Sequence, residues 1–186
     1  MDRLRLFWAV TLPAPVKEAL AAVGASFRQL PLDVKWVETG NLHITVYFLG
    51  DTDRNLVGTL VDAVTRKVSG FRGFTLSLGG VGVFPSLRKP RVLWVGLADF
   101  GPLVDLHRLI EKTVVALGFS PDDKPFSPHV TIGRFRSMNN SAALGQKIEE
   151  VGTQRIGEVK VEGLELMSSR LRPSGPIYTP VTRISF

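Results

Sequence analysis

The chain has 186 residues, 44% of them hydrophobic, which is ample for a packed core. It has no cysteine, so disulfides, thiolate catalysis and cysteine-held metals are excluded, and no apolar run approaches the ~20 residues of a membrane span. A net charge of +6 favours an anionic partner.

The first predicted element is an apolar strand, Arg5-Leu-Phe-Trp-Ala-Val10. Pro13 and Pro15 then introduce a helix along Val16, Ala19, Leu20 and Val23, with Gly24 near its exit. Leu42-His-Ile-Thr-Val-Tyr-Phe-Leu49 reads as a half-buried strand. Strict alternation puts His43 and Thr45 on one of its faces and Leu42, Ile44, Val46 and Phe48 on the other. A second helix is expected from an Asp53 cap to Val68, along Leu56, Leu60, Val64 and Val68. Phe74 to Leu78 alternates as a strand that Gly79-Gly80 breaks or bulges, and Val81 to Phe84 stays apolar until Pro85. Arg91-Val-Leu-Trp-Val-Gly96 is the next strand, and a helix follows on Leu103, Leu106, Ile110, Val114 and Leu117 between Pro102 and Gly118. His107 on that helix is expected at the surface or its boundary, without a catalytic role. Pro128-His-Val-Thr-Ile-Gly133 is a further strand, with His129 and Thr131 on one face. A short helix over Ala142 to Val151, an alternating run from Val159 to Met167 and a strand from Ile177 to Phe186 complete the chain. Ser86 to Pro90 and Arg136 to Ser141 are expected to be the most mobile segments.

These elements contain a repeat. Arg5 and Trp8 stand as far before His43 as Arg91 and Trp94 stand before His129, with one helix between strand and motif each time. Such spacing argues for duplicated supersecondary structure. The expected fold is therefore α+β: two intertwined lobes with pseudo-two-fold symmetry, antiparallel sheets lining a central cleft and helices outside, making one domain over residues 1–186.

Two of the three histidines open a His-x-Thr tripeptide, His43-Ile-Thr45 and His129-Val-Thr131. One such strand would be an ordinary histidine satisfied by its neighbours; the pair supplies the parts of metal-free attack on a phosphodiester. One group must take a proton from the nucleophile and another must protonate the leaving oxygen, and histidine titrates near neutrality. Thr45 and Thr131 provide hydroxyl donors on the same faces, and Arg134 is the nearest guanidinium for the non-bridging oxygens. Alternation places Arg134 on the far face from His129, unless Gly133 lets the strand bend or end and brings it round. Metal use of the histidines is disfavoured, because neither His-x-x-x-His nor His-Glu-x-x-His spacing occurs. Walker, dinucleotide and Gly-x-Ser-x-Gly patterns are missing too. Basic residues group at Arg88, Lys89 and Arg91, at Arg134 and Arg136, and at Arg170 and Arg172, which suits a phosphate-bearing partner once the histidines call for one.

On these residues the chain resembles the two-histidine phosphoesterase superfamily, and within it the bacterial and archaeal RNA 2′,3′-cyclic phosphodiesterases, also called 2′-5′ RNA ligases. The resemblance runs through Arg5-Leu-Phe-Trp-Ala9 with Leu12-Pro13, Trp36 with Asn41 to Gly50, Phe84-Pro85 with Pro90 to Val95, Phe126-Ser-Pro-His-Val-Thr-Ile-Gly-Arg134, and Ser169 through Gly175 to Tyr178. It implies hydrolysis of a terminal 2′,3′-cyclic phosphate to a 2′-phosphate without metal or other cofactor. It also implies that His43 is the proton donor to the departing 3′ oxygen and His129 the base that activates water. Thr45 and Thr131 would hold phosphate oxygens and Arg134 would bind phosphate. The expected partner is an RNA bearing a 2′,3′-cyclic phosphate end or a related cyclic nucleotide, met by a cytoplasmic monomer with no membrane attachment. Two alternatives stay open: 2′-5′ joining of RNA ends by the reverse reaction, and a non-catalytic module that binds RNA ends.

Overall fold

Nine strands and four helices form within residues 2–137, 141–173 and 175–186, which the computed structural model of the chain describes. In chain order these are β1 (Arg3–Thr11), α1 (Ala14–Phe27), β2 (Val34–Trp36), β3 (His43–Asp53), α2 (Val57–Val68), β4 (Phe74–Phe84), β5 (Val92–Ala98), α3 (Gly101–Val115), β6 (Val130–Phe135), α4 (Ser141–Val151), β7 (Arg155–Val161), β8 (Gly163–Arg172) and β9 (Gly175–Ser185). The strands make one curled antiparallel sheet in the order β7-β4-β5-β6-β3-β1-β8-β9, with β2 added along β6.

That order is a palindrome. Read outward from the middle, the order matches β3 with β6, β1 with β5, β8 with β4 and β9 with β7. The halves join through the single register pair Ile44–Val130. Helices cross the join: α1 lies between β1 and β3 in sequence yet packs on β6 and β7, and α3 packs on β3 and α2. The duplicated, interleaved α+β architecture is thus the one expected. The core lies between the sheet and the helices, where Leu6, Trp8, Val10, Ile44, Leu93, Val95 and Val130 meet Leu20, Leu60, Leu103, Leu106 and Ile110. Each such side chain contributes roughly 1.5–3 kcal/mol on removal from water.

Several local expectations shift. The first helix runs past Gly24 to Phe27, because Gly24 is buried against the Trp36 ring instead of ending the helix. The Asp53 carboxylate accepts from the Asn55 amide and so caps a 3-10 turn over Arg54–Leu56, leaving Leu56 48% exposed and starting α2 at Val57. The third helix stops at Val115, which leaves Leu117 outside it and partly exposed. Gly79-Gly80 does bulge β4: its register with β5 jumps between Leu78 and Val81. The alternating run from Val159 to Met167 divides at Glu162, with β7 pairing to β4 and β8 to β1 and β9. Gly163 makes that corner possible, since a Cβ there would meet the Ile184 carbonyl oxygen at 2.3 Å. Ser86 to Pro90 is a loop, while the segment expected at Arg136 to Ser141 falls partly outside the described residues.

Candidate active site

Both His-x-Thr tripeptides lie at the seam of the two halves. His43 opens β3 and His129 immediately precedes β6, and the Ile44–Val130 pair joins those strands. Ile44 and Val130 are fully buried on the core side, so the flanking histidines and threonines face away from the core into one cavity of about 300 Å³. Its walls include His43, Thr45, His129, Thr131 and Arg134, bringing together every site residue expected from sequence. Lys35, Asn41, Phe48 and Tyr178 also line it, and sequence reading had assigned none of them.

Two β-bulges at matching positions decide which side chains join the histidines. In β3 the pairing with β1 passes from Ala9–Thr45 to Trp8–Tyr47, skipping Val46. In β6 the pairing with β5 passes from Trp94–Thr131 to Leu93–Gly133, skipping Ile132. One extra residue turns all that follows to the opposite face. Val46 and Tyr47 are consequently both buried, and Phe48 emerges on the cleft face, 51% exposed. This corrects the expectation that Phe48 faces the core with Ile44. The same device brings Arg134, opposite Val92, onto the face of Thr131, opposite Trp94, which removes the alternation objection. The bulge at Ile132 does this, not a bend at Gly133. Gly133 serves close packing, since a Cβ there would come within 2.6 Å of Val34 Cγ1 on β2. Its partner strand β2 sets Lys35 opposite Arg134 and thereby adds a second cation to that wall.

The bulges also separate the two tryptophans that suggested the repeat. Trp8 is fully buried in the core, whereas Trp94 lies across Gly82 on the cleft side, its ring 2.3 Å from where a Gly82 Cβ would stand. The residue opposite Thr45 is Ala9, and the residue opposite Thr131 is Trp94. Ala9 is therefore the counterpart of Trp94, and the equal Arg-x-x-Trp spacing is one residue out of step with the structure. The duplication stands on topology instead.

Each imidazole is held by a backbone carbonyl. His43 Nδ1 lies 2.7 Å from Asn41 O, and His129 Nδ1 lies 2.7 Å from Ser127 O. A carbonyl can only accept, so Nδ1 carries the proton and Nε2 holds the lone pair of the neutral ring. In His43 that Nε2 is 3.0 Å from Thr45 Oγ1. Phe7 and Tyr178 pack against the His43 ring and Phe84 sets its edge to His129, each with centroids 5.1 Å apart. This burial lowers the pKa of both histidines below 6.5, partly offset by the carbonyl bonds. Repulsion adds to the lowering: from Lys17, His129 and Arg134 on His43, and from Arg134 on His129. Burial raises the Tyr178 phenol above 10, so it remains a neutral hydroxyl in the neutral range.

The third histidine departs from expectation. His107 is 4% exposed, not a surface or boundary residue. Its ring stacks on Phe126 at 4.1 Å and its Nε2 bonds Asp122 Oδ2 at 2.8 Å. The Asp122 amide donates to Glu111, and the Tyr47 hydroxyl donates to Ser120 O at 2.7 Å. Together these contacts pin the segment leading from α3 to His129 against α3 and the core face of β3. His107, Glu111 and Asp122 are also the grouping among the described residues whose donor atoms come close enough, within 4.8 Å, for one metal ion. Those atoms already bond one another or their loop.

A duplicated α+β sheet that presents two His-x-Thr strands and an arginine to one cleft defines a two-histidine phosphoesterase. Comparison with known proteins agrees: the model of the LigT-like phosphoesterase family matches residues 10–94 and 98–178. The chain is 32% identical over 177 residues, covering 95% of this chain and 96% of the relative, to the RNA 2′,3′-cyclic phosphodiesterase of Methanothermobacter thermautotrophicus. It is 30% identical to that of Thermotoga maritima, over 98% and 96% of the two chains. Among solved structures, a Thermus thermophilus protein superimposes with a TM-score of 0.82 at 29% identity, covering 98% and 97% of the two chains. E. coli LigT complexed with 3′-AMP superimposes with a TM-score of 0.81 at 27% identity, over 100% and 99%. The chain belongs to the LigT-like phosphoesterase family. Among the described residues no helix is long and apolar enough to cross a membrane.

Proposed function

We propose that the chain hydrolyses the 2′,3′-cyclic phosphate end of RNA to a 2′-phosphate, with His43 and His129 sharing the proton transfers. The observation that carries this reading is the pair of carbonyl-anchored imidazoles facing one cleft from the seam strands, each with a threonine beside it. Neutral His129 takes a proton from water through Nε2 as the water oxygen attacks phosphorus. The bond from phosphorus to the 3′ oxygen breaks, and His43 in its protonated form delivers a proton to that oxygen. Thr45, Thr131 and Arg134 hold the non-bridging oxygens, where charge accumulates in the transition state. The family's relatives named as RNA 2′,3′-cyclic phosphodiesterases support the substrate class.

The decisive assay is a short RNA ending in a 2′,3′-cyclic phosphate, incubated in EDTA, with the position of the product phosphate resolved. A 2′-phosphate is the expected product. Unchanged RNA, or a 3′-phosphate, would contradict the reading.

The dependence on pH follows from the two lowered pKa values. Below both, the base is protonated; above both, the acid has lost its proton. kcat/KM reports the free enzyme, so its maximum lies midway between the two apparent pKa values, whichever histidine is the acid. Since both are lowered from 6.5, the bell should centre on the acid side of 6.5. A maximum above pH 7 would show that these environments do not govern the titration.

A further inference from the structure

A second cavity, of about 240 Å³, adjoins the cleft, and His43, Asn41 and Tyr178 stand in the walls of both. It lies over the β3-β1-β8-β9 half of the sheet, whereas Arg134 and Lys35 line the cleft from β6 and β2. Thr11 on β1, the register partner of His43, lines it together with Glu165 of β8 and Lys17 of α1. We propose that this cavity receives the penultimate nucleotide of an RNA substrate, with Lys17 meeting the phosphate that links it to the terminal ribose and Glu165 accepting a hydrogen bond from its 2′-hydroxyl. The inference rests on the phosphodiesterase reading above.

The geometry of displacement selects this side. Water attacks in line with the bond that breaks, so the nucleoside that keeps the departing 3′ oxygen lies on the side of the acid, His43. The chain upstream of that nucleoside leaves from the same side, where this cavity begins. A 5′-hydroxyl end attacking in place of water would enter beside His129 instead, so the cavity belongs to the strand that carries the cyclic phosphate. Its two charged groups have donors and acceptors to spare. Lys17 Nζ gives one of its three donors to Gly40 O at 2.9 Å, which fixes the ammonium in the cavity wall. Of the charges that lower the His43 pKa, Lys17 has the largest effect, which places its ammonium near the acid. Glu165 Oε1 accepts from Thr11 Oγ1 at 3.2 Å, and an ionised carboxylate has acceptor sites beyond that one. Phosphate is repelled by a carboxylate, so the two charges divide the cavity: the ammonium suits the phosphodiester and the carboxylate suits a hydroxyl. That hydroxyl is what separates RNA from DNA at such a position.

The test uses three substrates: adenosine 2′,3′-cyclic phosphate, the adenosine dinucleotide ending in the same cyclic phosphate, and that dinucleotide with 2′-deoxyribose in its upstream unit. In the wild-type protein kcat/KM should rise about three- to tenfold from the mononucleotide to the deoxy dinucleotide, the range of a net hydrogen bond. It should rise by a similar factor again from the deoxy to the ribo dinucleotide. Lys17→Ala should remove most of the first step and keep the second, and raised salt should shrink the first step in the wild type. Glu165→Ala should remove the second step and keep the first, while Glu165→Gln, which still offers Thr11 an acceptor, should retain part of it. Each step is a ratio within one protein at one pH, so the rise in His43 pKa that follows loss of the Lys17 charge cancels. Turnover of the mononucleotide shows in each variant that the fold is intact. Equal kcat/KM for the three substrates in the wild type overturns the proposal. So does an undiminished first step in Lys17→Ala, or an undiminished second step in Glu165→Ala. Turnover of none of them by the wild type would sink the phosphodiesterase reading beneath it, a failure distinct from indifference to the upstream nucleotide.

Discussion

Alanine in place of His43 or of His129 is expected to lower turnover of a cyclic phosphate by at least ~10²-fold, and up to ~10⁴-fold, the usual contribution of a positioned acid or base. Neither residue holds the fold together. Both are half-buried on the cleft face, while the adjoining Ile44 and Val130 carry the packing at the seam. The variants should consequently unfold at nearly the wild-type temperature, and the loss can be read as chemistry. Their residual activities assign the roles. Without the base at position 129, what remains needs only protonated His43, so it should decline as pH rises with no acid limb. Without the acid at position 43, what remains needs only neutral His129, so it should climb with pH and stay high. The double variant should cost little more than either single one, because groups acting in one step are not additive. Near-wild-type turnover in either variant would end the two-histidine mechanism. Interchanged pH limbs would keep the mechanism and reverse the donor and the acceptor.

The reach of the sequence in this protein stops where pairing register begins. The His-x-Thr pair, the helices and most strands are visible because period and punctuation are local properties of the chain. Topological duplication is visible as well, through the strand–helix–strand order of each half. Phe48 and the route of Arg134 to the cleft were hidden for one reason. A bulge is a mismatch between two strands, and nothing in Thr45-Val-Tyr-Phe48 marks which of its residues β1 will skip. The tryptophans show the converse error. Equal spacing in sequence made Trp8 and Trp94 look equivalent, although a one-residue slip turns them to opposite faces. Strand β2, with three residues, is too short for a period to register, and Lys35 went unnoticed with it. The burial of His107 depends on Asp122 and Phe126, which a helix-surface reading could not supply.

Arg134 is where register and chemistry meet, and its removal carries the other large expectation. Arg134→Ala should lower kcat/KM by about ten- to a hundredfold, the effect of losing hydrogen bonds to a charged group, and should do so mainly through KM. A second signature distinguishes phosphate binding from mere support of the strand. Arg134 is a cationic neighbour that depresses the pKa of both histidines. Taking it away should move the whole pH bell of kcat/KM to higher pH, which a packing defect elsewhere in β6 would not do. Its side chain is exposed beside the Lys35 strand, so the fold should survive the change. Arg134→Lys separates charge from geometry: it should leave the bell near its wild-type position, because the positive charge remains, while recovering only part of the lost KM, because an ammonium group cannot present the bidentate fork of a guanidinium. If alanine alters neither KM nor the position of the bell, then the bulge at Ile132 brings Arg134 to the cleft for some purpose other than phosphate.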